Sequence, residues 1–337
     1  MNYSTEFSRD SASGSDSAVS HSETSPQKSI LVLGSANIDL VVRVKTLPQP
    51  GETVLGGTFL QASGGKGANQ AVAAARAGGQ VRFVAAVGND DYGKQAITGY
   101  LQEGIDCSAV VTIEGTATGI ATIMVDDHGQ NIIAVASGAN ARLTPEHVNA
   151  LPDAVLQSTD ILLASLEVPL ETVAQGLTRA RRCGVWTILN PAPALAAAGD
   201  ANILALVDVL TPNEGEAAQL VGLESLAAND RTRMQQAEAA AQELRRRGTR
   251  IVIVTLAELG CLVVADEVTP IKATNVTPVD ATAAGDAFNG ALAVALAEGL
   301  PIVEAARWAN CAAGLAVTKP GAQPSLPVRS EIDAARG

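Results

Sequence analysis

The chain predicts an α/β fold: a doubly wound, mostly parallel central sheet with helices on both faces. The first of three observations is alternation. From about Leu143 onward, short apolar runs trade places with longer helical patterns. Strands are expected at 160–164, 187–189, 207–210 and 251–255, and helices at 170–182, 214–221, 231–247 and 301–317. Such alternation builds right-handed βαβ units, hence parallel strands with helices on both sides. The second is that these strands end alike, in polar or glycine-bearing segments: Leu166-Glu167, Asn190-Pro191-Ala192-Pro193, Thr211 to Glu216, and Thr255 to Gly260. In an open α/β sheet those carboxyl ends share one ligand-binding crevice. The third is size. With 337 residues, 47% of them hydrophobic, the chain fills one large domain with at most a small appendage.

Taken in order, residues 1–28 are rich in Ser, Thr, Asp and Glu and hold almost no large apolar side chain, so a disordered tail is expected there, without a signal-peptide core. The fold then occupies 29–337. Ile30 to Gly34 reads as a buried strand leading to Ser35-Ala36-Asn37-Ile38-Asp39. Asn37 and Asp39 lie just past its carboxyl end, where they either stabilise a turn or face a ligand. A carboxylate such as Asp39 can accept hydrogen bonds from neighbouring sugar hydroxyls. Leu40 to Thr58 alternates but carries several Pro and Gly residues, the mark of twisted edge strands. Gly64-Gly65-Lys66-Gly67-Ala68-Asn69-Gln70 reads as a bare turn opening a helix over 71–77. It matches neither the Walker nor the dinucleotide spacing. A strand at 81–87, a helix to about Leu101, and short strands at 110–113, 120–125 and 132–135 complete the first half.

The stretch with the most chemistry is Val279 to Gly290. Small residues run straight into an apolar helix over 287–296, so the backbone can approach a ligand closely. The helix's first amides lack internal partners and have the positive end of the helix dipole behind them, which makes an anion site. One acid, Asp286, sits inside this cradle. Alone it also reads as a helix cap. A carboxylate beside a bound phosphate is costly, however, unless it acts on the group that attacks phosphorus, which is a phosphoryl-transfer arrangement. The helix terminus is expected to lower its pKa. Asn213 and Glu216, three apart at a helix start, either cap that helix or face one ligand, Glu216 reaching Mg²⁺ through water.

The net charge of -12 argues against nucleic acid or an anionic membrane surface as partner. No apolar run is long enough to span a bilayer. Cys107, Cys183, Cys261 and Cys311 show no paired spacing and read as free core thiols of a cytoplasmic protein. His21, His128 and His147 have no neighbouring ligand, which disfavours zinc or a His-dependent triad.

Taken together, Gly64 to Asn69 with Gly78 and Gly88, and Asp280 to Gly290, resemble the two signatures of the ribokinase/PfkB carbohydrate kinase family. The likeness runs over about 29–334. Gly34 to Asp39, Leu166-Glu167 and Gly321 to Ser325 resemble the family's ribose-specific branch. The resemblance implies phosphoryl transfer from MgATP to the 5-hydroxyl of D-ribose with Asp286 as base. It implies an anion hole at Ala283, Ala284, Gly285 and Asp286, and sugar contacts from Asn37, Asp39, Gly64, Gly65, Lys66, Asn69, Glu167 and Asp286. Nucleotide contacts would come from Asn213, Thr255, Leu256, Ala257, Glu258, Leu259, Gly260, Gly285 and Asn310. Glu216 would serve Mg²⁺, while Asp280, Thr282, Ala316, Lys319, Gly321 and Ser325 would surround an activating K⁺. A β lid at about 39–62 and 117–136 and a homodimer through it are also implied. Two departures stand out. Ala281 removes a hydroxyl beside the cation loop, and Ala257 replaces a common Gly, so the loop must shift if that position needs positive φ. Kinases for deoxyribose, fructose or adenosine are the nearest alternatives. Asp39, placed for a vicinal diol, favours ribose over deoxyribose. A non-catalytic sugar-binding protein on the same fold would not need Asp286.

Overall fold

A computed structural model describes residues 28–223 and 229–336. The tail expected over 1–28 lies, but for Lys28, outside the described residues. Both faces of the first strand, β1 (Ser29–Leu33), are buried: Ile30 and Val32 enter one core, Leu31 and Leu33 the other. That alternation is what a strand flanked by helices on both sides requires.

In chain order there follow β2 (Asn37–Arg43), β3 (Thr58–Gly64), α1 (Lys66–Arg76), β4 (Gln80–Gly88), α2 (Asp91–Gln102), β5 (Val110–Ile113), β6 (Gly119–Val125) and β7 (Asn131–Ala136). Short helices α3 (Pro145–Asn149) and α4 (Asp153–Gln157) precede β8 (Ile161–Ser165), α5 (Leu170–Arg182), β9 (Trp186–Asn190), α6 (Ala201–Leu204), β10 (Val209–Leu210), α7 (Glu214–Val221) and α8 (Asp230–Arg246). The last part holds β11 (Ile251–Thr255), β12 (Cys261–Val264), β13 (Val268–Ile271), α9 (Ala284–Ala297), α10 (Ile302–Ala316) and α11 (Arg329–Arg336).

The main sheet runs β13-β12-β11-β10-β9-β8-β1-β4-β5. Its strands pair in parallel except β12 and β13, which form an antiparallel extension. From β1 the chain goes first to β4 on one side and later to β8 on the other, so the order reverses beside β1. This is the switch point at which such sheets open a crevice. A second sheet, β3-β2-β6-β7, is built from 37–64 and 119–136 and so overlaps the segments expected for a lid, starting and ending two residues outside the first of them.

Several expectations change. Asn37 and Asp39 do not sit in a loop but open β2, paired with Gly64 and Ala62. Helix α1 starts at Lys66, not at 71. Its glycine-rich start is helical because tertiary contacts override propensity: the Ala68 amide donates to the Ser35 carbonyl, and a side chain on Gly67 would strike the Ser35 nitrogen. Of the four cysteines, all free, only Cys261 is in the core, while Cys107, Cys183 and Cys311 are half-buried. Among the described residues no helix is long and apolar enough to cross a membrane.

Candidate active site

Helices α1 and α9 lie against each other so closely that a Cβ on Gly290 would meet the Ala73 Cβ at 2.5 Å. Asp286 lies four residues before Gly290 and Asn69 four before Ala73, so each pair shares a helix face. The tight contact therefore brings the first turn of α9 onto the first turn of α1. Asn69 Nδ2 donates to Asp286 Oδ2 at 3.0 Å, and Gln70 Nε2 donates to Asp286 Oδ1 at 3.0 Å. Asp286 is buried and does not cap its helix; the cap position is Ala283, in a left-handed conformation with φ 60°. Among the described residues the amides of Ala283, Gly285 and Asp286 find no backbone acceptor, and that of Ala284 makes only a 3.3 Å contact to the Ala281 carbonyl. The space in front of Gly285 is open, since a Cβ there would meet nothing within 4 Å. A cradle of unused amides thus stands beside a buried carboxylate.

The expectation that the helix end lowers the Asp286 pKa is overturned. Burial raises it, the Glu167 charge adds to the rise, and Lys66 with the Asn69 and Gln70 hydrogen bonds only partly opposes it.

The residues expected to hold the sugar converge on the same space. A Cβ on Gly64 would lie 2.3 Å from the Asp39 carboxylate, so that carboxylate takes the place of a side chain. Burial, then repulsion from Glu167 and Asp286, pushes Asp39 up to about 6. Glu167 Oε2 accepts the Ser35 hydroxyl at 2.6 Å and the Lys66 amide at 3.0 Å. Asn37 Oδ1 accepts Asn140 Nδ2 at 2.7 Å, which leaves the Asn37 amide donor directed elsewhere. Gly65 adopts φ 89° and approaches the Asn37 nitrogen too closely for any side chain.

A buried acid at a helix start, beside unused amides and facing two further carboxylates, is the arrangement expected of a kinase for a polyhydroxylated acceptor. The pfkB family carbohydrate kinase profile matches residues 27–329. The chain belongs to the pfkB family of carbohydrate kinases. A ribokinase of Haemophilus influenzae is 42% identical over 306 residues, covering 90% of this chain and 97% of its own. The crystal structure of a ribokinase from Thermotoga maritima superposes with a TM-score of 0.80 at 39% identity, covering 91% of this chain and 98% of that one. An Arabidopsis thaliana ribokinase complexed with ribose and ATP gives 0.81 at 30% identity, covering 92% and 99%.

On the other side of the pfkB cradle, the ends of β10 and β11 come together, with Asn213 bridged to Thr255. Asn213 and Glu216 cap α7 reciprocally, at 2.8 Å in each direction, so the capping reading holds for both. Burial raises the Glu216 pKa; its bond to the Asn213 amide and the Lys66 charge oppose the rise and the Asp286 charge adds to it. The loop from Leu256 to Gly260 is closed by the Leu256 amide on the Gly260 carbonyl at 2.8 Å. It does not shift to avoid Ala257: the alanine itself takes φ 50°. Arg233 braces this loop, donating to Glu258 at 2.6 Å and in bidentate fashion to Glu214. Asn310 is tied through Nδ2 to the Lys272 carbonyl at 2.9 Å.

The expected K⁺ residues form a separate knot. Asp280 accepts from Thr282 N and Oγ1 and from the Gly321 amide. Although burial works to raise its pKa, these bonds and the Arg43 charge hold it below the usual range. Ser325 is buried and donates to the Ala322 carbonyl, the Lys319 side chain pairs with Glu331, and Ala316 ends α10 with its carbonyl accepting the Lys319 amide. Asp280 is thus held ionised and bonded to the Gly321 loop. Among the described residues no cluster of three or more His, Cys, Asp or Glu could hold a metal.

Sequence reasoning missed Ser35, Asn140, Gln70, Asn190, Thr211 and Asn289 as parts of the site. All but Asn140 fall inside stretches already singled out, so only their pairings were hidden.

Proposed function

We propose that the protein transfers the γ-phosphoryl group of ATP to the 5-hydroxyl of D-ribose, giving D-ribose 5-phosphate and ADP, with Asp286 as the base. The observation that carries this is the Asp286 carboxylate, held by Asn69 and Gln70 beside the unused amides of Gly285 and Asp286. The ribokinases among its relatives, one complexed with ribose and ATP, support the choice of substrate. Asp39, Asn37, Lys66, Asn69 and Glu167, with the Gly64-Gly65 backbone, hold the sugar. Asp39 accepts from a vicinal diol and so disfavours 2-deoxyribose.

The ribose O5 attacks the γ-phosphorus while the bond to the ADP oxygen breaks. The hydroxyl proton passes to Asp286, late in a loose transition state. The amides of Ala283, Ala284, Gly285 and Asp286 receive the charge that develops on the phosphoryl oxygens. Asn213, the 255–260 loop and Asn310 line the nucleotide side. Glu216 would hold, through water, the Mg²⁺ that accompanies ATP, and that ion would neutralise phosphate charge. Asp280 with oxygens of Thr282, Ala316, Lys319, Gly321 and Ser325 would hold an activating K⁺ that orders the cradle. The lid's exposed Leu60, Ile133 and Val135, which share one face of its sheet, make an apolar surface suited to a second copy. Ile133→Lys is expected to halve the mass seen by light scattering; an unchanged mass would remove the lid as the dimer contact.

Turnover is tested by ADP release with MgATP over ribose, 2-deoxyribose, fructose and adenosine, with and without K⁺. Ribose-dependent, K⁺-enhanced turnover is expected, and Asp286→Asn is expected to cut it by roughly 10²-fold or more with ribose binding kept. Near-normal turnover in that variant removes Asp286 from the mechanism. Preference for another acceptor overturns the roles of Asn37 and Asp39.

A further inference from the structure

Behind the base lies a buried chain of polar groups. Gln70 Nε2, already bonded to Asp286 Oδ1, also donates to Asn190 Oδ1 at 3.0 Å. Asn190 Nδ2 donates to the Thr211 carbonyl at 2.9 Å. The Thr211 hydroxyl donates to Asn289 Oδ1 at 2.6 Å. Asn289 Nδ2 then donates to the Gly285 carbonyl at 2.8 Å. The path leaves the Asp286 side chain, crosses the ends of α1, β9 and β10, and returns to the peptide unit before Asp286. Gln70, Thr211 and Asn289 are at most 2% exposed and Asn190 7%, so water does not compete for these bonds.

Each link fixes the next. Gln70 must turn Nε2 toward Asp286, because the reversed amide would set its oxygen against two acceptors. Asn190 is oriented because one end meets a backbone carbonyl and the other Gln70. The single Thr211 proton goes to Asn289, since the alternative contact, to the Leu189 carbonyl, is longer at 3.3 Å and that carbonyl already accepts the Thr211 amide. Among the described residues Gln70 Oε1 is buried without a partner, while every donor of the circuit is engaged, and a buried chain of this kind rigidifies what it joins.

We propose that Gln70 is the positioning residue of Asp286, and that the Asn190–Thr211–Asn289 relay locks it to the Gly285 peptide so that base and anion cradle move as one unit. The inference rests on Asp286 being the base. The other charged groups that face Asp286 are Lys66 from α1, Glu167 beyond β8, Asp39 from β2 and Glu216 from α7. Gln70 is the one neutral donor that ties the carboxylate to the relay.

The test uses three variants of the full chain with kcat, both KM values and the pH profile of kcat. Thr211→Val removes one hydroxyl two residues along the relay from Gln70 while keeping shape. It is expected to lower kcat about tenfold with both KM values within about twofold, since base placement is felt in the transition state. Thr211→Ser is expected to restore kcat. Gln70→Glu sets a second carboxylate against Asp286, so the acid limb of the kcat profile should move up by about one pH unit or more. A folded Thr211→Val enzyme with parental kcat, or a Gln70→Glu enzyme with the parental profile, overturns the proposal. Should Thr211→Val not fold, Gln70→Glu decides alone. Asp286→Asn separates the two readings. If it is inactive while the relay variants behave as the parent, only the relay inference fails. If it is active, the base assignment itself fails.

Discussion

Ribose binding should titrate with Asp39. Its carboxyl is pushed from 3.8 to about 6, first by burial and then by the charges of Glu167 and Asp286. That displacement corresponds to about 3 kcal/mol favouring the neutral form, a ceiling because the site is partly open. About nine-tenths of Asp39 is then ionised at pH 7 and about one-tenth at pH 5. Only the ionised form can accept from both hydroxyls of a diol, so ribose affinity should fall about tenfold between those values, with a midpoint near 6. Asp286 also titrates upward and would confuse a kinetic profile. Calorimetric ribose titrations on Asp286→Asn isolate Asp39, whose midpoint should drop only slightly, because Asp286 is the smallest of the three causes. Adding Asp39→Asn should leave weak binding that is flat with pH. A slope that survives Asp39→Asn, or a midpoint near 4, refutes the reasoning. Stability carries the opposite sign. With the folded pKa above the unfolded value, the contribution is full below about pH 4 and is lost as pH rises through 6. Asp39→Asn should therefore melt higher than the parent above pH 6 and at nearly the same temperature below pH 4.

The nucleotide loop offers a second perturbation. An alanine at φ 50° costs about 1 kcal/mol relative to glycine, less the entropy glycine loses on folding. Ala257→Gly should raise Tm by about 1–3 °C, and the KM for ATP should change little because Arg233 still grips Glu258. A lower Tm in calorimetry would show that the left-handed alanine carries no strain.

Much of this fold was legible because its signals are local. Helices α5 and α7 have the expected bounds, Leu170–Arg182 and Glu214–Val221, since periodicity and caps lie within each segment. The parallel strands were legible as short apolar runs because both their faces are buried. The β12–β13 extension was not found; its strands are four residues each and follow the parallel pattern without a break in composition. The start of α1 was misread because glycine argues against helix while the Ser35 backbone, distant in sequence, holds it. The relay was invisible for the same reason: positions 70, 190, 211 and 289 share no motif, and each alone is an ordinary polar residue.

The misjudged acidity of Asp286 follows from comparing two fields of unequal size. A helix terminus stabilises a carboxylate by about 0.3–1 kcal/mol, occasionally 2, which is about one pKa unit. Burial can act by about 3–5 units in the other direction. The dipole is written in the sequence as small residues before a helix, whereas burial is created by α1, β2 and the loop beyond β8 closing around the site. The structure shows which one wins. The outcome also suits the chemistry. A carboxylate with its ordinary pKa would hold a proton poorly, and one fully desolvated would be neutral before substrate arrived. Lys66, Asn69 and Gln70 each favour the ionised form against burial. In the proposed reaction, a carboxylate whose pKa is raised takes up the hydroxyl proton more readily than one at its ordinary value.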